Sequence, residues 1–142
     1  MAKGGGPRSG WVMERKFQLL PGTVQVFLEG GEAPDDIVPV LSDAALIAHT
    51  QHLQGLLVVS GLGDPANAAA VSRALEEIHA VGAPPPFKIA FVAYMFPQYS
   101  VYHFAEQYAA IFGIDAKVHV SVQDAMNWLG VREETRQPLP HS

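Results

Sequence analysis

The sequence contains no cysteine among its 142 residues. This absence excludes disulfide bonds, thiolate nucleophiles and cysteine-ligated zinc together. No apolar run approaches the roughly 20 residues that a membrane span needs. Residues 1–10 are rich in glycine and lack the apolar middle of a signal peptide. We therefore expect a cytoplasmic protein without an integral membrane segment.

Charged residues are also scarce, at 16% of the chain, and the formal net charge is −5. Acidic and basic residues are interspersed and form no basic face, so nucleic acid is not an expected partner. Hydrophobic residues make up 49% of the chain, which is enough for a packed core. The length fits one domain. We expect this domain to occupy residues 11–131, between flexible tails at residues 1–10 and 132–142.

The spacing of the apolar residues predicts an α/β domain with the element order β-β-α-β-α-β-α-β-α. The predicted strands are residues 12–20, 23–29, 56–59, 87–93 and 116–120. The predicted helices are residues 35–52, 64–82, 97–113 and 121–130. A hairpin followed by alternating strands and helices indicates a single mixed sheet of about five strands, covered by about four helices.

Local signals at helix ends and faces support this assignment. Asp64-Pro65 is typical of a helix start, with an N-cap followed by proline at the first helical position. Ser121 and Asp124 are spaced as a capping box for the last helix. The third helix carries the clearest apolar stripe. We expect the stripe to be its core face, formed by Val101, Phe104, Ala105, Tyr108, Ala109 and Phe112.

The second half of the chain carries a recognisable pattern. It consists of the strand at 87–93, Phe104-Ala105, Phe112, Val118, Val120, Asp124, Ala125, Trp128 and Leu129. The pattern resembles the SpoIIAA-like family of bacterial proteins, whose fold is related to the STAS domain. By element order, the resemblance extends over residues 12–130. It implies a SpoIIAA/STAS-like fold, and a regulatory role through contact with other proteins.

The better-known members of that family are anti-sigma-factor antagonists. In those members, the regulatory switch is phosphorylation of a serine at the start of the helix that follows the central strand. In this chain Asp64-Pro65 opens the corresponding helix, and Ser60 lies earlier, at the end of the strand. We therefore expect no regulatory phosphoserine at the start of the second helix.

The loop that leaves the central strand offers a weak anion-binding motif. Ser60, Gly61 and Gly63 lie between a buried strand and a helix N-terminus, where free amides favour negative charge. A plain turn explains the same residues, because no lysine follows the glycines. The six histidines form no set of three or four metal ligands, and His49 and His52 are only a pair. We expect no metal, no cofactor and no catalytic residues.

A second stripe on the third helix is the most informative candidate site. It consists of Tyr99, Tyr102, His103 and Glu106, and Tyr94 and Phe96 lead into it. One interpretation is that the tyrosines lie flat against neighbouring loops. The other is an aromatic surface that binds a partner or a ligand.

Three functions follow from these alternatives. The first is a non-catalytic regulatory or scaffolding domain that acts by protein–protein contact, as a homodimer. The second is a binder of a small apolar or lipid-like ligand in the region from Tyr94 to His103. A weaker third is an enzyme that uses His103 and Glu106 as an acid–base pair.

Overall fold

The computed structural model describes residues 14–29, 33–61, 64–82 and 87–131. These residues form five strands and four α-helices. The strands are β1 (Glu14–Leu20), β2 (Thr23–Glu29), β3 (Gly55–Ser60), β4 (Phe87–Ala93) and β5 (Ile114–His119). The helices are α1 (Ile37–Thr50), α2 (Ala68–Val81), α3 (Phe96–Ile111) and α4 (Val122–Leu129). The predicted α/β class, with one mixed sheet of five strands and four helices, is confirmed.

The five strands lie side by side in the order in which the chain makes them. β1 pairs antiparallel with β2 through a turn in which Gly22 has φ 73°, a left-handed conformation that favours glycine. β2, β3, β4 and β5 are mutually parallel. The carboxyl ends of these four strands therefore meet at one edge of the sheet, which we call the carboxyl edge.

The two faces of the sheet are covered unequally. α1, α2 and α3 pack on the first face, over a core that includes Val26, Val58 and Phe91. On the second face, α4 packs over Leu57 and Val92. The residues of β2 alternate between the two faces, and Val24, Val26 and Leu28 are all buried on the first face. None of the helices in the described ranges is long and apolar enough to cross a membrane.

Local residue preferences explain several helix ends. Pro39 lies in the first turn of α1, where its missing N–H costs no helical hydrogen bond. The Ser121 side chain caps α4 by accepting a hydrogen bond from the Asp124 amide at 3.1 Å. Gly130 ends that helix in the left-handed conformation, with φ 86°. The predicted tails at 1–10 and 132–142 lie outside the described residues.

The predicted start of the second helix is wrong. α2 begins at Ala68 rather than at Asp64-Pro65, and its N-cap is Asn67, whose side chain accepts a hydrogen bond from the Ala70 amide at 2.9 Å. Asp64 is turned into the protein instead. Its carboxylate is engaged by side chains from β3 and α3, so it is not available to cap α2.

The predicted core face of the third helix is also partly wrong. The buried positions of α3 are Tyr102, Ala105 and Ala109, whereas Phe104 is half-exposed. α3 carries aromatic residues on both sides, so apolar periodicity alone did not settle which side faces the sheet. Tyr102 faces inward because its ring stacks on Phe91 and its hydroxyl has a buried acceptor. The last strand also differs, since β5 spans 114–119 rather than 116–120.

Candidate functional site

A buried polar cluster lies at the carboxyl edge, which is where ligands bind in many open α/β folds. We call it the Asp64 cluster, and it comprises Ser60, Asp64, Gln98 and Tyr102. The Ser60 hydroxyl donates to Asp64 Oδ2 at 2.7 Å, and the Tyr102 hydroxyl donates to the same oxygen at 2.5 Å. Only 3% of the Asp64 surface is exposed. The cluster therefore joins the end of β3 to the first half of α3.

Backbone groups complete the contacts of Asp64. Its Oδ1 accepts a hydrogen bond from the Ala66 amide at 3.0 Å, and its backbone carbonyl accepts one from Gln98 Nε2 at 3.0 Å. A buried carboxylate needs such donors, because burial removes the water that would otherwise solvate its charge. The loop between β3 and α2 is thereby tied to α3.

The Asp64 cluster is a structural network in which one buried atom, Gln98 Oε1, has no hydrogen-bond partner among the described residues. Burial raises the pKa of Tyr102 well above its usual range, and the negative charge of Asp64 acts in the same direction. The hydroxyl therefore remains a proton donor at physiological pH. Its ring stacks on Phe91 with the centroids 4.4 Å apart, so the ring is also committed to the core.

The described part of the proposed anion loop already has partners within the chain. The Ser60 hydroxyl is bonded to Asp64, and the Gly61 amide donates to the Leu28 carbonyl at 2.8 Å. A Cβ at Gly61 would lie 3.0 Å from that same carbonyl, which explains the glycine by close packing. Gly63 lies outside the described residues.

The predicted stripe on α3 does not form one surface. Tyr102 belongs to the core, and Tyr99 is half-buried against it. His103 is exposed and its ring lies parallel to that of Tyr99, with the centroids 6.1 Å apart. Glu106 is half-buried and turns toward β5, where its Oε2 accepts a hydrogen bond from the Val118 amide at 2.8 Å. Tyr102 therefore fits neither interpretation, because its ring packs on Phe91 of β4 rather than on a loop and its hydroxyl is buried.

The proposed acid–base pair is present but loosely arranged. His103 Nδ1 lies 3.7 Å from Glu106 Oε1. This is longer than the roughly 2.6–3.2 Å over which a proton is transferred directly. The other oxygen of Glu106 is held by the edge strand β5. Glu106 thus satisfies a backbone amide of the sheet edge.

The segment that joins β4 to α3 is the part of the predicted site that faces solvent. Tyr94 and Met95 are about half exposed, and Phe96 is 80% exposed. They follow the buried strand β4 at the carboxyl edge and begin α3. Three consecutive exposed apolar side chains are unusual at a fixed point of a scaffold, and such patches mark interaction sites.

The outer face of α3 extends this apolar surface, and sequence reasoning missed it. Phe96, Phe104 and Ile111 are 80%, 50% and 71% exposed. At 100° per residue they lie within one narrow arc of the helix, together with Ser100 and Gln107. We call these five residues the outer stripe. Their spacing of four, four, three and four residues was the available signal, but Phe104 had been assigned to the core.

A cleft of about 290 Å³ lies at the opposite, amino edge of the sheet. The hairpin turn at Gly22, the start of β3 at Gly55 and the end of α4 at Gly130 line it together with Lys88. Lys88 Nζ donates to the Trp128 carbonyl at 3.3 Å and lies 5.0 Å from the centre of the indole ring. The lysine at this cleft is therefore already engaged by α4.

His119 is a further titratable group with a shifted pKa. Burial, and secondly the charge of Lys117, lower its pKa from the usual value near 6.5. Its ring lies 5.6 Å from that of Trp128, and its buried Nε2 has no hydrogen-bond partner among the described residues. Within the described ranges, no group of three or more His, Asp or Glu side chains is arranged to hold a metal ion.

Comparison with known proteins found no matching family model, no matching curated protein and no matching solved structure. The resemblance to the SpoIIAA-like family therefore stays a prediction from the residue pattern. The function has to be argued from the surface and chemistry of this chain.

Proposed function

We propose that this protein is a non-catalytic regulatory or scaffolding domain that acts by binding protein, and that the contact is made at the carboxyl edge and along α3. The observation that carries the proposal is the run of exposed apolar side chains at Tyr94, Met95 and Phe96. A large apolar side chain gains free energy when a partner removes it from water.

The position of this run supports a binding role. β4 precedes it and is almost entirely buried, and the Asp64 cluster secures the first half of α3 directly behind it. Loops and helix starts on such a firm base are where proteins commonly place binding residues. The backbone that carries the exposed side chains is therefore held in place before a partner arrives, which lowers the entropy cost of binding.

The Asp64 cluster supports a non-catalytic role for this edge. Its hydroxyls and carboxylate are buried and bonded to one another, so they are not open to a substrate. The polar groups of the Asp64 cluster thus stabilise the fold, whereas the apolar side chains at the carboxyl edge are exposed to solvent.

A site-specific photo-crosslinking amino acid tests the proposal in the native host. Placed at position 96, it should form adducts with protein. The control is position 46 on α1, where Leu46 is half-exposed and lies away from the carboxyl edge. Mass spectrometry then identifies what each position has captured.

The outcomes separate the hypotheses. Protein adducts at position 96 that are absent at position 46 support the proposal. Equal labelling at both positions, or no protein adduct at position 96, overturns it. A small apolar molecule captured at position 96 would instead favour the ligand-binding alternative for the region from Tyr94 to His103.

A further inference from the structure

The outer stripe of α3 has the arrangement needed to pair with a copy of itself. We propose that two chains associate through this stripe around a twofold axis, with their α3 helices antiparallel. The inference rests on the proposed function, because it names the partner of the same surface. It goes further in specifying a second copy, a direction and a register.

The first argument is the symmetry of the stripe along the helix. In an antiparallel pair around a twofold axis, positions that pair have residue numbers with a constant sum. Phe96 and Ile111 have the same sum as Ser100 and Gln107, so both pairs form in one register. The axis then passes beside Phe104, which the same sum places opposite His103 of the copy. Both apolar ends of the stripe therefore find an apolar partner, and both polar positions find a polar one.

The second argument is the chemistry of the stripe. All five positions are uncharged, so the paired positions of the stripe oppose no like charges. Phe96, Phe104 and Ile111 supply the apolar surface, and they are the most exposed large apolar side chains of α3. Ser100 and Gln107 can exchange a hydrogen bond where they meet.

The third argument is that the remaining sides of α3 are occupied within the chain. Toward α2, the Tyr108 hydroxyl donates to Glu76 at 2.7 Å and the Phe112 ring contacts His79. Toward β5, Glu106 accepts the Val118 amide. The outer stripe is the face of α3 that these contacts leave uncovered.

The size of the surface sets the expected strength. A helix of 16 residues is about 24 Å long and 10 Å wide, so two such faces bury on the order of 500 Å² in total. Stable interfaces bury about 1,200–2,000 Å². With some contribution from Tyr94 and Met95, we expect a weak dimer that exchanges rapidly, with a dissociation constant in the micromolar range.

Sedimentation of the full chain over a wide concentration range tests association. The wild type should shift from monomer to dimer between about 1 μM and 1 mM. The variant Phe96→Ser with Ile111→Ser should weaken association by about 100-fold or more, since it removes both apolar ends. Leu46→Ser is the control, because it removes a half-exposed leucine from α1 and should leave association unchanged.

Single cysteines test the direction and register, and the chain has no native cysteine to interfere. When Ser100→Cys and Gln107→Cys proteins are mixed and oxidised, the mixed disulfide should form much faster than either homodimeric disulfide. In the antiparallel pair, two copies of position 100 lie about 10 Å apart along the axis, which is too far for a direct disulfide.

Two results overturn the inference. Rapid disulfide formation between two copies of position 100 would indicate parallel helices. A chain that remains monomeric at high concentration would exclude the dimer. If such a monomer still forms protein adducts at position 96, the proposed function stands with a different protein as partner, so the two failures can be told apart.

Discussion

The two faces of α3 carry similar aromatic side chains and have opposite surroundings. On the inner face, Tyr102 is fully buried, stacked on Phe91 and bonded to Asp64. On the outer face, Phe104 and Phe96 lie in water. A tyrosine can therefore be buried when its hydroxyl has a buried hydrogen-bond acceptor, while a phenylalanine on the same helix remains exposed. Hydrophobicity alone would predict the opposite, with the phenylalanines buried and Tyr102 exposed.

The largest expected effect comes from truncating one ring on each face. Tyr102→Ala should lower the free energy of unfolding by about 3–5 kcal/mol, because it leaves a cavity and an underbonded buried carboxylate. Phe104→Ala should lower it by less than about 1 kcal/mol, since half of that ring is already in water. Denaturant unfolding measures both values. Equal losses of unfolding free energy would mean that the two faces of α3 contribute equally to stability, contrary to this comparison.

A smaller effect should follow from removing only a hydroxyl. Tyr102→Phe keeps the stacked ring but takes one donor from Asp64, and should cost about 1.5–3 kcal/mol, as for hydrogen bonds to charged groups. The control is Tyr108→Phe, whose hydroxyl donates to Glu76 at the exposed surface. We expect no measurable change there. A Tyr102→Phe variant with the stability of the wild type would show that the Asp64 cluster does not hold α3 in place.

The smallest effect concerns Glu106, which lies on the flank of α3 between its two faces. The charge of Glu106 raises the pKa of His119, although burial and Lys117 lower it overall. Glu106→Gln should therefore lower the pKa of His119 further, and NMR titration of the imidazole measures it. Lys117→Gln is the opposite control and should raise it. A pKa that moves the other way in either variant would contradict this placement of the charges.

The lowered pKa of His119 also makes the stability of the fold depend on pH. Folding favours the neutral form of His119, because its folded pKa lies below the unfolded value near 6.5. Above pH ~6.5, His119 therefore does not lower the free energy of unfolding. As the pH falls from there through the folded pKa, His119 lowers that free energy progressively. Replacing His119 with glutamine should reduce the loss of stability between neutral and mildly acidic pH.

Sequence reasoning located most elements because their signals are local. The alternation of β2, the wholly apolar run of β3 and the Ser121 cap each depend on a few neighbouring residues. It misplaced the start of α2 because Asp64 has the side chain of an N-cap and also that of a buried acceptor. Only the approach of Tyr102, 38 residues further along the chain, decided between them.

The candidate site was predicted less well for the same reason. Tyr94 and Phe96 lie exposed at the carboxyl edge, because a residue that follows a buried strand and precedes a helix lies at the end of the sheet. Tyr102 was expected in the same surface and is in the core. The outer stripe was hidden because Phe104 fits a helical apolar period on either face.

By itself, the sequence determined the class of this protein: one α/β sheet of five strands with four helices, because periodicity and turn residues act over short distances. The tertiary structure alone decided which face of α3 meets the sheet, that Asp64 is a buried acceptor, and that Phe96, Phe104 and Ile111 share an outer stripe. These outcomes depend on partners that are distant along the chain. Their free energies appear only when β3, β4 and α3 are brought together, and local pattern does not contain them.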